Sequence, residues 1–76
     1  MNESERKLAF DELLKRMRGR LMAIAKSYAQ SDADDLLQEI FLQIWRGLKN
    51  FRGDAMIDTW SYRVALNTAM TWRRAR

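Results

Sequence analysis

The sequence predicts an all-α fold, a compact bundle of about four helices. The 76 residues include no Pro and only three Gly, and Ala, Leu, Met, Arg and Gln are abundant, a composition that favours helices packed on helices. Apolar residues recur at helical spacing along the chain. A chain of this length forms one small domain, which buries only about 60% of the surface its unfolded form exposes.

The first half of the chain is expected to form two helices. The first begins near Ser4, a plausible N-cap, with Glu5 in its first turn. Its apolar positions are Phe10, Leu13, Leu14 and Met17, and a second apolar series comprises Leu21, Ile24, Ala25 and Tyr28. Gly19 lies between the two series at an entropic cost to a helix, so the pattern favours two helices over one long one.

A third helix is predicted from Ser31 to about Leu48. Ser31 can cap it, Asp34 is a weaker capping-box partner, and the acidic residues that follow Ser31 complement the positive end of the helix. Those acids, Asp32, Asp34, Asp35 and Glu39, could also be considered for Mg²⁺ or Ca²⁺, but neighbouring acids at a helix start diverge. The apolar stripe is wide and suits the centre of a bundle: Leu36, Leu37, Ile40, Phe41, Ile44, Trp45 and Leu48.

A short loop from Lys49 to Gly53 then leads into a fourth helix that runs towards Arg76. Gly53 permits the positive φ of a tight reversal, and Asp54 can cap the helix. The expected inward face carries Ile57, Trp60, Val64, Thr68 and Trp72. A second face carries Arg63, Asn67, Met70 and Arg74.

Several kinds of chemistry are absent from the composition. The chain has no Cys and no His, so disulfides and thiolate metal sites are excluded and the commonest general base is missing. We therefore expect no enzymatic activity and no cofactor. No apolar run approaches the roughly 18 residues that span a bilayer, and the polar start MNESERK lacks the core of a signal peptide. A cytoplasmic protein without membrane insertion is expected.

The charge distribution favours a polyanionic partner for the last helix. The net charge is +4, and residues 51–76 carry five Arg against two Asp, whereas residues 1–50 carry nine basic and eight acidic groups. Arg63 and Arg74 can contact phosphates, Asn67 can contact a base edge, and Phe51 and Arg52 can stack on bases. The alternative is an apolar stripe beside a solvated basic face.

The polar side of the third helix carries a second candidate surface. Its residues follow helical spacing: Asp35, Gln38, Glu39, Leu42 and Arg46. By spacing alone, a solvated face with one stray Leu is the more common case. The functional alternative is a docking strip for a partner's helices, with Leu42 as an apolar anchor ringed by polar groups.

Two stretches, DADDLLQEIFLQIWRGL and FRGDAMIDTWSYRVALN, together resemble region 2 of the bacterial extracytoplasmic-function sigma factors, the group IV specificity subunits of RNA polymerase. The resemblance covers roughly residues 8–76, and the two motifs occur in the right order with a short loop between them. It implies a single region 2 domain, without the helix-turn-helix region 4 domain that such proteins carry beyond a linker.

The resemblance implies two binding surfaces. The contact with the clamp helices of the polymerase β′ subunit maps to Asp35, Gln38, Glu39, Leu42, Trp45 and Arg46. The contact with the minus-ten promoter element, including a flipped base of the non-template strand, maps to Phe51, Arg52, Gly53, Asp54, Ala55, Met56, Trp60, Tyr62, Arg63 and Asn67, next to which Arg74 adds charge. An anti-sigma factor is a further implied partner.

One residue departs from the family pattern. Ser61 stands where the family often has Leu, which is expected to loosen the packing under the last helix. Two rival functions stay open from the residues alone. One is a repressor whose last helix enters the major groove of duplex DNA, and the other is a helical adaptor that binds only proteins.

Overall fold

The computed structural model describes residues 1–75, which form three α-helices. They are α1 (Glu3–Ala29), α2 (Ala33–Leu48) and α3 (Ile57–Arg74), with a 3-10 helix (Gln30–Asp32) between α1 and α2. Each α-helix packs against the other two. The all-α prediction is confirmed, but the expected four-helix count is wrong for the described residues. The predicted end of the last helix at Arg76 lies outside them.

The two helices expected around Gly19 are one continuous helix of 27 residues. The buried positions of α1 keep the same helical phase on both sides of Gly19: Leu13, Met17, Leu21, Ile24 and Ala25. Gly19 itself is exposed, and no atom of another element lies within 4 Å of a Cβ placed on it. Burial of an unbroken apolar stripe therefore outweighs the cost of one Gly, which is about 1 kcal/mol relative to Ala.

The N-terminus of α1 is capped two residues before the predicted position. Asn2 Oδ1 accepts a hydrogen bond from the Glu5 backbone N–H at 2.8 Å, and Glu5 Oε1 accepts from the Asn2 N–H at 2.9 Å. These two bonds form a reciprocal capping box, which satisfies backbone donors that a helix start leaves open. Ser4, the predicted N-cap, lies inside the helix.

The start of α2 also differs from the prediction. Ser31 lies in the 3-10 helix, and α2 begins at Ala33 after Asp32 as its N-cap residue, without a side-chain capping bond. The chain leaves α1 through Gln30, whose φ of 49° is the only positive value at a non-Gly residue between residues 1 and 75. This positive-φ residue follows α1 directly and begins the 3-10 helix, so α1 and α2 are joined without an irregular loop and Ser31 does not lie at the start of α2.

The core of α2 matches the predicted stripe. Leu36, Leu37, Ile40, Ile44 and Leu48 are buried, and Phe41 and Trp45 are half-buried. Each fully buried Leu or Ile contributes roughly 1.5–3 kcal/mol through removal from water. The predicted spine of the domain is confirmed, and the opposite side of the helix is left facing solvent.

The inner face of α3 is made of small residues. Ser61, Ala65 and Ala69 are completely buried, whereas the five residues predicted to face inward (Ile57, Trp60, Val64, Thr68 and Trp72) are all half-buried. The small side chains let the α3 backbone approach its neighbours, and the large ones flank the contact. Ser61 does not leave an unsatisfied group, because its hydroxyl donates to the Asp58 carbonyl at 2.9 Å. The expected loosening of the packing at Ser61 stays a prediction.

One ion pair joins α1 to α3. Arg16 Nη2 lies 2.7 Å from Asp58 Oδ1, and Arg16 Nε lies 3.2 Å from Oδ2, so the guanidinium binds both carboxylate oxygens. This two-point geometry fixes the relative orientation of the helices better than a single contact does. None of the helices described over residues 1–75 is long and apolar enough to cross a membrane.

Candidate functional site

The outer side of α2 presents a ridge of four solvent-facing residues, which we call the α2 ridge: Asp35, Gln38, Leu42 and Arg46. Leu42 is 39% exposed although it belongs to a helix whose opposite side is fully buried. The three polar residues are all exposed around it. This part of the predicted polymerase contact is therefore open to a partner.

The remaining two residues of that predicted contact lie at the edges of the α2 ridge and have partners inside the chain. Glu39 faces α3 and accepts a hydrogen bond from Gln43 Nε2 at 2.7 Å. Trp45 faces α1, where the Phe10 ring meets it edge-on with a centroid distance of 5.2 Å. The Arg6 guanidinium stacks over the Trp45 ring at 3.7 Å, and its Nε donates to the Trp45 carbonyl at 3.1 Å.

Residues 49–56 form the loop between α2 and α3, and an aromatic pair anchors its start. The Phe51 ring lies 5.1 Å from the Trp60 ring, centroid to centroid, at an angle of 50°. The Trp60 indole also lies so close to Gly47 that a Cβ on Gly47 would be 2.7 Å from Trp60 Cζ2. Both rings are half-buried, so they hold the loop on the bundle and keep only part of their surface for a ligand.

The rest of the loop faces solvent. Arg52, Gly53 and Asp54 are exposed, and Met56 is 76% exposed, the highest value among the large apolar side chains of residues 1–75. Gly53 has a φ of +81°, as predicted for the reversal. The predicted cap at Asp54 is wrong, because α3 begins only at Ile57 after Met56 in extended conformation. Loop residues 52–56 therefore form a projecting segment with a basic and an apolar side chain.

The predicted basic face of α3 is a second ridge, which we call the α3 ridge: Arg63, Asn67, Met70 and Arg74. All four residues are exposed. Asn67 borders the groove between α2 and α3, which Glu39 and Gln43 also line. Arg63 instead borders the groove between α1 and α3, together with Tyr62. The α3 ridge thus separates two grooves and contributes a residue to each.

The electrostatics of the described residues leave the α3 ridge positive. Asp58 is the nearest acid on the same helix, and its pKa is lowered chiefly by the hydrogen bonds from Arg16 and also by the charges of Arg16 and Arg20. It is therefore ionised and engaged by Arg16 at neutral pH. Within residues 1–75, no group of three or more acidic side chains lies together in a way that could hold a metal ion.

The structure identifies residues near these surfaces to which the sequence patterns gave no functional role. Arg6 contacts Trp45 and Gly47 lies against Trp60, whereas Arg20 and Tyr28 line the α1–α3 groove. A Gly inside a strongly helical pattern signals a close contact, so Gly47 carried a usable signal. The other three depend on how the helices rotate against each other, which no local pattern records.

Comparison with known proteins adds a family and several relatives. The sequence model of the family described as Sigma-70 region 2 matches residues 13–76. The ECF RNA polymerase sigma-E factor of Escherichia coli (strain K12) is 38% identical over 65 residues, which are 84% of this chain and 34% of that protein. The RNA polymerase sigma-H factor of Pseudomonas aeruginosa is 38% identical over 72 residues, 92% of this chain and 37% of that protein.

A third relative, the ECF RNA polymerase sigma-E factor of Haemophilus influenzae, is 34% identical over 71 residues, 92% of this chain and 38% of that protein. The chain therefore spans about a third of the length of the curated relatives it matches.

Proposed function

Since the chain belongs to the Sigma-70 region 2 family and resembles the extracytoplasmic-function sigma factors, we propose that it acts in transcription initiation. In this proposal the α2 ridge binds the clamp helices of the RNA polymerase β′ subunit, with Glu39 and Trp45 at its edges. Residues 51–56 and the α3 ridge, with Trp60 and Tyr62, bind the minus-ten element and receive an unpaired base of the non-template strand.

The observation that carries the proposal is the exposure of the α2 ridge in a helix that is otherwise the core of the bundle. Gln38 and Leu42 belong to the motif that resembles the family's polymerase contact, and both are open to solvent. A polar ridge around one apolar anchor suits the side of a coiled coil, because the anchor supplies buried area and the rim excludes water. Burial of this side inside the bundle would have left the motif without access to a partner.

The proposed DNA contact is supported by chemistry that needs no catalytic group. Opening a duplex loses base stacking, and capture of an extruded base against protein returns a few kcal/mol. Arg52 and Met56 are exposed on the loop and available for such a contact, while the contact between Phe51 and Trp60 holds the start of the loop on the bundle. Cationic side chains of the α3 ridge can neutralise the backbone of the unpaired strand.

A binding assay with the isolated β′ clamp helices tests the polymerase contact. We expect the double variant Gln38→Ala, Leu42→Ala to weaken binding while its circular dichroism spectrum stays unchanged. Leu8→Ala is the matched control, because Leu8 is an apolar side chain that is 63% exposed and belongs to α1, not to α2. An equal loss of clamp-helix binding in the control and in the double variant would show that the binding is nonspecific hydrophobic adsorption and does not depend on the α2 ridge.

The DNA contact is tested by promoter opening in the reconstituted polymerase. Asn67→Ala is expected to impair opening and to leave polymerase binding unchanged, because Asn67 lines the α2–α3 groove and no residue of the α2 ridge does. Loss of clamp-helix binding by Asn67→Ala as well as by the double variant would contradict two separate contacts. Tight, sequence-specific binding of intact duplex by the chain alone would favour a repressor, and no DNA binding even with polymerase present would favour a protein adaptor.

A further inference from the structure

The groove between α1 and α3 combines basic and aromatic side chains on facing helices. Its volume is about 690 Å³, within the roughly 300–1,000 Å³ range of small-ligand sites. Arg20 and Tyr28 line it from α1, and Tyr62 and Arg63 line it from α3. Met17, Ile24 and Leu66 supply its apolar surface. The groove is thus continuous with the α3 ridge, through Arg63.

Among residues 1–75, the guanidinium groups of Arg20 and Arg63 in this groove form no ion pair. Asp58 also lines the groove, but both its carboxylate oxygens are bound by Arg16. In the part of the chain that the structure describes, the Arg20 guanidinium makes a single hydrogen bond, a weak contact of 3.9 Å with the Met17 sulfur, and Arg20 acts on Asp58 only at longer range. Over residues 1–75, no carboxylate lies within salt-bridge distance of Arg20 or Arg63.

The two Tyr side chains differ in availability. The Arg73 guanidinium lies over the Tyr28 ring at 4.3 Å from its centroid, so one face of that ring is already covered by a cation. Tyr62 is 41% exposed. Tyr62 shares this groove with Arg20 and Arg63. Such a lining suits a nucleotide, because an aromatic ring can stack on the base and guanidinium groups can pair with phosphate.

We propose that the α1–α3 groove is a further subsite for the unpaired DNA strand, in which Arg20 and Arg63 bind a phosphate and Tyr62 stacks on the adjacent base. The inference rests on the proposed function and extends its DNA contact from α3 onto α1. An acidic peptide would also be attracted by the two Arg side chains. The nucleic-acid strand is favoured because the groove joins the α3 ridge and because Tyr62 offers a stacking surface that a carboxylate does not use.

The test compares two charge-equivalent variants, Arg20→Gln and Arg18→Gln. Both residues are exposed on α1, but only Arg20 lines the groove. Binding of a fluorescent deoxythymidine decamer is measured by anisotropy over a range of salt concentrations. Loss of one phosphate contact on a single strand makes the slope of log K against log salt shallower by about 0.7, equivalent to about fivefold in affinity at 0.1 M salt.

We expect that change for Arg20→Gln and for Arg63→Gln, and a smaller one for Arg18→Gln. Tyr62→Leu should weaken binding by at least about fivefold, while Tyr62→Phe retains the stacking ring and most of the affinity. Circular dichroism melts establish that each variant is folded at the assay temperature. Equal salt slopes for the Arg20 and Arg18 variants would overturn the subsite, since both then act only through net charge.

Failure of the subsite is distinguishable from failure of the proposed function. If the Arg20 and Arg18 variants agree while Asn67→Ala still impairs promoter opening, the groove does not bind the strand and the sigma function stands. If the unaltered chain binds neither the clamp helices nor any single strand, both proposals fail. If Arg20→Gln weakens binding of an acidic peptide but not of the decamer, the groove is a protein site and the subsite is wrong.

Discussion

Arg6 is expected to stabilise the fold more than any other charged side chain of α1. Its side chain is only 12% exposed, and it makes three contacts at once: an ion pair with Glu3 at 2.8 Å, a stack on the Trp45 ring and a hydrogen bond to the Trp45 carbonyl. That carbonyl belongs to the last turn of α2, where four carbonyls lack helical partners and a cation is favoured. We predict that Arg6→Met destabilises the protein although Met keeps an unbranched apolar stem.

The magnitude follows from the contacts that Met cannot make. A largely desolvated cation–π contact is worth about 2 kcal/mol, and a hydrogen bond to a charged group about 1.5–3 kcal/mol. These contributions overlap, and Met recovers part of the packing against Trp45, so the expected net loss is about 2 kcal/mol. For a domain of this size, that loss lowers the melting temperature by roughly 8–16 °C.

Lys7→Met is the matched control for thermal melts followed by circular dichroism. Lys7 is the neighbouring residue, and its ion pair with Asp11 spans 3.2 Å between side chains that are 72% and 48% exposed, so its loss should cost only about 0.3–0.5 kcal/mol. Arg6→Lys should fall between the two, because an ammonium keeps the charge but loses the planar stack. Equal melting temperatures for Arg6→Met and Lys7→Met would refute the reasoning.

Three further predictions concern stability. Gly19→Ala should raise the free energy of unfolding by roughly 0.5–1 kcal/mol, because Gly19 is an exposed residue inside a continuous helix. Gly53→Ala should lower the free energy of unfolding by about 1–2 kcal/mol, because the φ of Gly53 is +81°. Urea melts of both variants check the two signs. Ala65→Leu should cost at least about 1–3 kcal/mol by overpacking a fully buried helix contact, and an unchanged urea midpoint would contradict this. Arg16 holds the pKa of Asp58 below its ordinary value. The pair therefore stabilises the fold above about pH 3.9, and that contribution is lost as the pH falls through the lowered pKa. Asp58→Asn should flatten the pH dependence of the free energy of unfolding in that acid range.

The sequence predicted most reliably what depends on one helix at a time. The α2 stripe is wide and regular, and its core positions follow from period alone. Helix boundaries were harder to predict from the sequence. Gly19 was interpreted as a break between two helices, although the buried apolar residues on both sides of it share one helical phase. Ser61, Ala65 and Ala69 were missed as the buried face of α3, since close packing of small residues leaves large side chains at the flanks.

The sequence predicted each candidate surface as one face of a single helix, and the structure shows where the two faces lie relative to each other. Glu39 from the predicted polymerase contact and Asn67 from the predicted DNA contact line the same α2–α3 groove. The two proposed surfaces are therefore neighbours across one groove instead of opposite sides of the bundle. A substitution of Glu39 would disturb its bond with Gln43 and the wall facing Asn67, so it cannot separate the two contacts.

Gln38 and Leu42 are better probes of the polymerase contact for a geometric reason. At about 100° per residue, Gln38 lies roughly 100° around the α2 axis from Glu39, and Leu42 lies roughly 60° from it. Both side chains are thus turned away from the groove that Asn67 lines, and both are exposed. Truncation of these two residues removes the proposed anchor on α2 and leaves the α2–α3 groove intact. An effect of this double variant on single-strand binding without polymerase would therefore contradict the separation of the two contacts.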